Sequence, residues 1–385
     1  MNDSKHVNRC REIDIFRGMA IALVFLANFP GNLLFIHNIQ EHSDWNGLSL
    51  VDVGFPMFVF ALGTLCVSIS QNRIKSSSKE RCLKALKRSL IMLIIGLILN
   101  YLAGFLGRVF DYTSLYKGMD RAFYALKYIT NLRIGGVLQR LAVVNIAVWI
   151  ITLFVPRKYI NWLIVIGLGA YQIVLLCFHG YEYSDRNIVA LIDKVLLTEA
   201  HMFQGKTVEG VRIIFEPLGI VGTVSAVFQS LIGYQSARWL INDDNKTMYA
   251  ICGTKLLFLG FLLSYIAPCN RNIWSPTYVF VTTGICMLLM FVLLEEKEKK
   301  SPFLSVFEKY GRSSLFVYAV ATVVYTVIKY LPIDTDTSLL DRIFYILNKI
   351  IPFPYVASLT FSILYASLFL LLVHLLHKRD IIIKL

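Results

Sequence analysis

His42 lies in the polar stretch Glu41-His42-Ser43-Asp44-Trp45-Asn46-Gly47-Leu48, held between two long apolar runs. An imidazole at such a boundary suits proton transfer, because its unperturbed pKa of about 6.5 lets it exchange a proton near neutrality. Asn28 interrupts the apolar run before it, and Asp52 opens the run after it. Polar groups gathered at the mouths of adjacent membrane spans mark a candidate site, since leaving each unpaired in hydrocarbon costs about 2 to 7 kcal/mol. Each also has a plainer reading. A loop histidine is solvated or hydrogen-bonded, a span asparagine bonds a neighbouring helix, and Asp52 is a helix N-cap.

Arg140, in Arg133-Ile134-Gly135-Gly136-Val137-Leu138-Gln139-Arg140, falls some two turns into a further apolar run, roughly 10 Å at 1.5 Å per residue. A guanidinium at that depth needs an anion, for which Asp52, Glu216 and a ligand phosphate are the candidates. A structural ion pair is an equal alternative. Asp14 and Arg17, spaced i,i+3, either pair with each other or leave Arg17 to reach a nucleotide phosphate. His374 and His377 make half a metal site without a third ligand, so they read as snorkelling side chains at a helix end and no metal is expected.

These residues must be positioned by membrane helices. Of 385 residues, 56% are hydrophobic and 16% charged, and the mean hydropathy is +0.62, too apolar for a soluble domain of this length. Apolar windows long enough to span a bilayer, about 20 residues each, recur at 15–36, 51–70, 89–107, 134–155, 160–179, 218–240, 248–267, 274–294, 315–331 and 353–376. The expected fold is all-α: a polytopic integral membrane helical bundle of about ten spans, forming a single domain over residues 1–385. No internal repeat stands out, which weakens an inverted-repeat transporter. Residues 1–12 are polar and carry no cleavable leader pattern.

The net charge of +13 resides mainly in short segments between apolar runs, so it reports membrane orientation and no nucleic-acid partner is expected. Arg73, Lys75, Lys79, Arg81, Lys84, Lys87 and Arg88, against Glu80 alone, read as a cytoplasmic cluster facing anionic lipid. Both termini then lie in the cytoplasm, in agreement with Lys5, Arg9, Arg11, Lys378, Arg379 and Lys384, and the His42 loop lies outside. The segment 108–133 dissents, being outside yet basic. Its amphipathic stretches fit a place along the interface or folded over the site. Segments 181–217 and 332–352 are the other long outer loops, and the seven cysteines, without a Cys-x-x-Cys pair, read as reduced and structural.

Ordered blocks along most of the chain resemble the heparan-α-glucosaminide N-acetyltransferase family, a transmembrane acetyltransferase family with shorter bacterial relatives. They are Asp14-Ile15-Phe16-Arg17-Gly18, Asn28, His42 to Leu48, Asp52-Val53-Gly54-Phe55-Pro56, Gly136 to Arg140, Ile192-Asp193-Lys194, Glu199-Ala200-His201, Glu216-Pro217, Gly222-Thr223 and Asn270-Arg271-Asn272-Ile273-Trp274-Ser275. Two blocks depart from the pattern. Glu216-Pro217-Leu218-Gly219 stands where relatives tend to read Asp-Pro-Glu-Gly, and Gly311-Arg312-Ser313-Ser314 where they often read Gly-Met-Asn-Ser. A counterpart of the family's extra N-terminal luminal segment is not expected in this chain.

The resemblance implies an acetyl-CoA-dependent transmembrane N-acetyltransferase, with cytosolic acetyl-CoA as donor and an extracytoplasmic amino sugar or glycan as acceptor, glucosamine first. His42 becomes the catalytic base or a transient acetyl carrier, Asn28 its companion at the carbonyl, and Asp52 the third catalytic member. Arg17, Arg140, Trp45, Trp274 and Ser275 are expected on the donor, and Asp44, Asn46, His201, Glu216 and Arg271 on the acceptor. The bacterial cytoplasmic membrane is the expected location, and a second copy of the chain is a candidate partner. An amino-sugar transporter and an O-acyltransferase of a surface or lipid-linked glycan are the rival readings.

Overall fold

The computed structural model describes residues 10–72, 78–111, 117–208, 211–240, 246–296, 301–334 and 337–379. Lys5, Arg9, Arg73, Lys75 and Lys384, used above for orientation, lie outside them. Fourteen α-helices carry the described chain. In order they are α1 (Arg11–Asn28), α2 (Gly54–Asn72), α3 (Ser78–Val109), α4 (Gly118–Leu126), α5 (Val137–Phe154), α6 (Arg157–Cys177) and α7 (Ile188–Leu197), then α8 (Ile220–Ser236), α9 (Thr247–Ser264), α10 (Pro276–Glu295), α11 (Pro302–Arg312), α12 (Ser314–Tyr330), α13 (Leu339–Ile350) and α14 (Pro354–Lys378). A two-stranded hairpin, β1 (Lys206–Val208) and β2 (Val211–Ile213), is the described sheet structure.

Six helices, α3, α5, α6, α9, α10 and α14, are long and apolar enough to cross a membrane. The pair α11 and α12, bent by 76° at its junction, makes a seventh if counted as one span. Each of the ten expected windows overlaps a helix, but α1 ends at Asn28 and not at 36, and α1, α2, α8 and α12 taken alone are not among the six. Arg11, Glu12, Asp14 and Arg17 crowd the start of α1, and α8 has 17 residues. Large apolar side chains point outward from the peripheral helices, among them Leu90, Ile94 and Ile98 on α3 and Val165 and Ile166 on α6. Such a surface is stable only in lipid, and the chain is a multi-pass membrane protein. By contrast α10 is central: 67% of its most apolar window is buried, against 17% for α3 and α9.

Local chemistry fixes several helix starts near the site. Ser275 caps α10 by accepting from Tyr278 N, with Pro276 in the first turn. Asn187 caps α7 through Val189 N and Ala190 N. Helices α7, α11 and α13 were not expected from the sequence, and of α4 only the amphipathic character of the 108–133 segment was anticipated. They are short and amphipathic, so no window of span length reveals them; α13 is nevertheless signalled by the capping box between Ser338 and Asp341. The helix α11 packs on α1 so closely that a Cβ at Gly311 would overlap the Asp14 carbonyl oxygen. Only glycine permits that crossing.

Beyond α1, an aromatic cluster of Phe25, Phe29, Tyr310, Tyr325, Tyr365 and Phe369 joins α1, α11, α12 and α14 in the core. The C-terminal end of α1 and the N-terminal ends of α2, α5, α8 and α10 gather at one face of the bundle. The start of α1, the start of α3 and α11 gather at the other.

Candidate active site

Asp52 organises the first face. It sits in a 3-10 turn, Val51–Val53, just before α2 and is 1% exposed. Ser49-Leu50-Val51-Asp52 reads as a Ser-x-x-Asp capping pattern, and Asp52 Oδ2 accepts from Ser49 N (2.9 Å) and Ser49 Oγ (3.0 Å). The same oxygen accepts from Ser43 N (3.2 Å) and Ser43 Oγ (2.9 Å). Its other oxygen, Oδ1, lies 2.7 Å from His42 Nδ1 and 3.4 Å from Arg271 Nε. Burial alone would raise the carboxyl, but the His42 hydrogen bond, the Arg271 charge and the Ser49 N–H hold it well below the usual carboxylate range. An ionised carboxylate only accepts. Nδ1 of His42 therefore carries the proton, and Nε2 is left with its lone pair.

His42 is pushed below its ordinary value of 6.5 by burial, against the Asp52 hydrogen bond, with the Arg271 charge adding to the drop. The imidazole is thus neutral near pH 7 and able to accept a proton. It opens on a cavity of about 310 Å³ that is also lined by Asn28, Asp52, Arg133, Arg140, Arg271 and Trp274. Asn28 is the exposed last residue of α1. Apolar walls come from Val24, Phe55, Val137 and Phe203.

A second loop braces the first. Asn270 donates to Asn46 Oδ1 (3.0 Å), Cys269 O accepts from Gly47 N (2.7 Å), and Asn272 Nδ2 reaches Asp44 O (3.5 Å). Trp274 is held there at φ 54°, a left-handed conformation that costs a non-glycine residue of order 1–3 kcal/mol and clusters at functional sites. Its ring is buried against Phe55 and Tyr278, and its indole N–H donates to Gln229 Oε1 (3.0 Å). Tyr278 in turn donates to Asp52 O (2.6 Å). Asp44 and Asn46 are exposed beside this brace and do not line the cavity; Ser275 is buried as the α10 cap. Trp45 is a loop anchor, packed on Tyr183 and Phe215 with its N–H on Tyr181 O (2.7 Å).

The anion expected for Arg140 is not Asp52 or Glu216. Glu216 holds Arg133 in a fork, at 2.8 Å to Nε and 2.6 Å to Nη2. It also accepts from Phe203 N and Leu218 N. Arg140, 2% exposed, makes its hydrogen bonds to neutral acceptors: Thr223 Oγ1 (3.1 Å), Pro217 O (2.9 Å) and Gly219 O (3.3 Å). Its guanidinium lies 4.9 Å from the Trp274 ring centroid. Since α5 starts at Val137, Arg140 occupies the first turn and lies shallower than expected. His201 sits behind the wall, with Nδ1 2.7 Å from Leu132 O, and pins the extended segment that carries Arg133. Arg17 does not line the His42 cavity; it is buried further along α1, 3.7 Å from Asp14 and donating to Ser314 Oγ (2.7 Å). Arg133 and Phe203 were missed. A basic residue two positions before Gly135-Gly136 was the available signal, but its carboxylate is 83 residues away.

The sequence model of an acyltransferase domain matches residues 11–372, nearly the whole chain. The chain belongs to this acyltransferase domain family. Among the relatives of this family member are the heparan-alpha-glucosaminide N-acetyltransferases of Mus musculus and Homo sapiens. The first is 24% identical over 370 residues, covering 81% of this chain and 53% of the relative. The second is 24% identical over 369 residues, covering 80% and 52%. The acyltransferase-domain chain is a distant relative of both and spans about half of their length.

Proposed function

We propose that this protein transfers an acetyl group from cytosolic acetyl-CoA to an amino sugar or glycan on the far side of the membrane, glucosamine first. The observation that carries this reading is the His42–Asp52 pair: an imidazole whose Nδ1 is fixed on a buried carboxylate, in a residue that lines a cavity. As the acceptor nitrogen attacks the thioester carbonyl carbon, the C–N bond forms and the carbonyl electron pair moves onto oxygen. His42 Nε2 takes the proton from nitrogen, and Asp52 stabilises the imidazolium. Collapse breaks the C–S bond, and the imidazolium returns the proton to the departing thiolate. Asn28 at the cavity mouth suits the acceptor or the carbonyl. Burial, with a smaller contribution from Arg271 beside Asp52, keeps the resting imidazole neutral.

A route for the donor supports the same reading. Two further cavities follow the His42 cavity along the seam of α2 and α5. The middle one is a constriction of about 10 Å³, room for a single water, lined by Phe58, Ala61, Leu62 and Leu141 with Arg17 and Arg88, so the donor's arm has to part these side chains to pass. The last, about 230 Å³, is lined by Leu62, Leu65, Asn145 and Trp149 with Arg81, Lys84 and Arg88. From Val137 to Trp149 the seam runs roughly 18 Å at 1.5 Å per residue, a span suited to a pantetheine arm. Arg81, Lys84 and Arg88 suit the phosphates by charge-assisted bonds.

In this reading α1, α2, α8 and the bent α11–α12 pair complete about ten crossings. The His42 face is extracytoplasmic, both termini are cytoplasmic, and the membrane is the cytoplasmic membrane of a bacterium. The test is labelled acetyl-CoA with purified protein and a panel of amino sugars, their N-blocked forms and surface glycans. Label on the amine of glucosamine is the expected product. Label on hydroxyls alone would make the protein an O-acyltransferase, and no label on any acceptor would sink the reading.

A further inference from the structure

The charged groups around the His42 cavity differ in which of their atoms a ligand can reach. Two carboxylates stand there, and neither offers an open oxygen. Asp52 Oδ2 accepts from Ser43 and Ser49, and its Oδ1 faces His42 and Arg271. Glu216 is saturated as well: Oε1 accepts from Arg133 Nη2 and Leu218 N, and Oε2 from Arg133 Nε and Phe203 N. Both carboxylate side chains are 0% exposed, whereas those of Arg133 and Arg271 are 29% and 27% exposed.

The two arginines are each held along one edge and open along another. Glu216 fills the Nε–Nη2 edge of Arg133, and the Phe203 ring centroid lies 5.0 Å from its guanidinium carbon. Its Nη1 makes no hydrogen bond to the described residues and is open to a water-sized probe. Arg271 donates from Nη2 to Asn272 Oδ1 (3.2 Å) with Nε towards Asp52, and its Nη1 is open in the same way. A guanidinium fixed in advance loses little freedom when a ligand arrives. Both line the cavity of about 310 Å³ that His42 lines, with Val24, Phe55 and Val137 as apolar wall, so a charge interaction there is screened less than in water. A ligand in this cavity meets positive N–H donors and no carboxylate that could receive an ammonium. The complementary group is an anionic oxygen. Because ligand sites start at about 300 Å³, this one has room for a small ligand, whose anionic group and reacting atom share one unit.

We propose that the acceptor is an amino sugar with an oxyanion group, a carboxylate or a phosphate, on its reacting unit, and that Arg133 binds this group from Nη1 with the charge of Arg271 beside it. The assignment rests on the acyl-transfer reading above and narrows its acceptor from glucosamine to an acidic derivative. Glu216 is then a positioning residue that aims Arg133, and Phe203 N and Leu218 N hold Glu216 in turn. The oxyanion group takes no part in bond making or proton transfer; it sets which acceptor is held beside His42. Neutral glucosamine remains a weaker substrate.

The experiment uses the full chain in nanodiscs of zwitterionic lipid with saturating acetyl-CoA. It measures kcat and KM for glucosamine, glucosamine 6-phosphate and glucosamine with a lactyl carboxylate on O3, and the equilibrium binding of each sugar without the donor. A hydrogen bond to a charged group is worth about 10- to 100-fold in affinity, so at least one acidic sugar should show KM and Kd lower than glucosamine by that factor. The stronger of the two tells phosphate from carboxylate. Arg133→Gln alone would strand the buried Glu216, so it is combined with Glu216→Gln; the double variant should lose the preference, chiefly through KM. Arg133→Lys keeps the charge without the fork and should retain part of it. Should the double variant fail to fold, Arg133→Lys and the wild-type preference decide. A wild type that binds and uses all three sugars equally would overturn the assignment, as would a double variant that keeps the full preference. Absence of transfer to every sugar defeats the acyl-transfer reading, and the binding measurement still separates the two: tighter binding of an acidic amino sugar supports the Arg133 site, and equal binding overturns it.

Discussion

At the residue scale, the central unit is His42, Asp52 and Arg271. Its pH behaviour follows from opposing influences on one imidazole. Burial and Arg271 disfavour the imidazolium, and Asp52 favours it, with a net fall below 6.5. The base works when neutral, so kcat/KM should be flat near pH 7 and decline as pH drops through the lowered His42 value. Arg271→Gln removes a nearby positive charge, which raises the His42 pKa and moves the acid limb to higher pH. Asp52→Asn removes the charge and leaves one amide oxygen, which the Ser43 and Ser49 donors claim. An NH₂ then faces His42 Nδ1 and favours the wrong tautomer, so the rate should fall about 10²- to 10⁴-fold, the usual worth of a positioned base. Rate profiles from pH 4.5 to 8.5, a range set around the unperturbed value of about 6.5, check both. An acid limb that stays in place in Arg271→Gln would separate Arg271 from the base. His42, Asp52 and Asn28 were legible as a cluster because polar residues in apolar runs stand out. The pairing of Arg133 with Glu216, 83 residues apart, leaves no local period. For the same reason Arg140 was legible as a misplaced charge but its partners were not.

At the scale of elements, the long apolar helices were readable because span length and hydropathy are strong signals. What escaped was most of the interfacial layer, of which only the amphipathic 108–133 segment holding α4 was anticipated. In α4, Met119, Phe123 and Leu126 are exposed while Ala125 is buried, a stripe that fits a lipid interface more than a core. In α11, charged residues such as Glu308, Lys309 and Arg312 keep the mean hydropathy low although Tyr310 and Gly311 are buried. That helix is held on α1 through Gly311, whose missing Cβ makes room for the Asp14 carbonyl. Gly311→Leu should force the two helices apart, at about 1–3 kcal/mol for overpacking, read as a lower melting temperature in detergent. The His42 face lies at the other end of α1, so residual activity per folded molecule should stay near wild type. A melting temperature equal to wild type would show that the contact contributes little.

On the scale of the whole molecule, the arrangement puts two different chemistries at opposite faces. A base, a carboxylate and three arginines line one cavity, and Arg81, Lys84 and Arg88 line another at the far end of the α2–α5 seam. A soluble acetyltransferase needs no such separation; a trans-bilayer one does, because donor and acceptor reside in different compartments. The direct test uses proteoliposomes with acetyl-CoA sealed inside and glucosamine outside. Wild-type protein should acetylate the external sugar without releasing internal acetyl-CoA, and His42→Ala should lose the reaction by about 10²- to 10⁴-fold while still binding acetyl-CoA. Transfer by His42→Ala at the wild-type rate, or transfer only when both substrates share one compartment, would contradict the account.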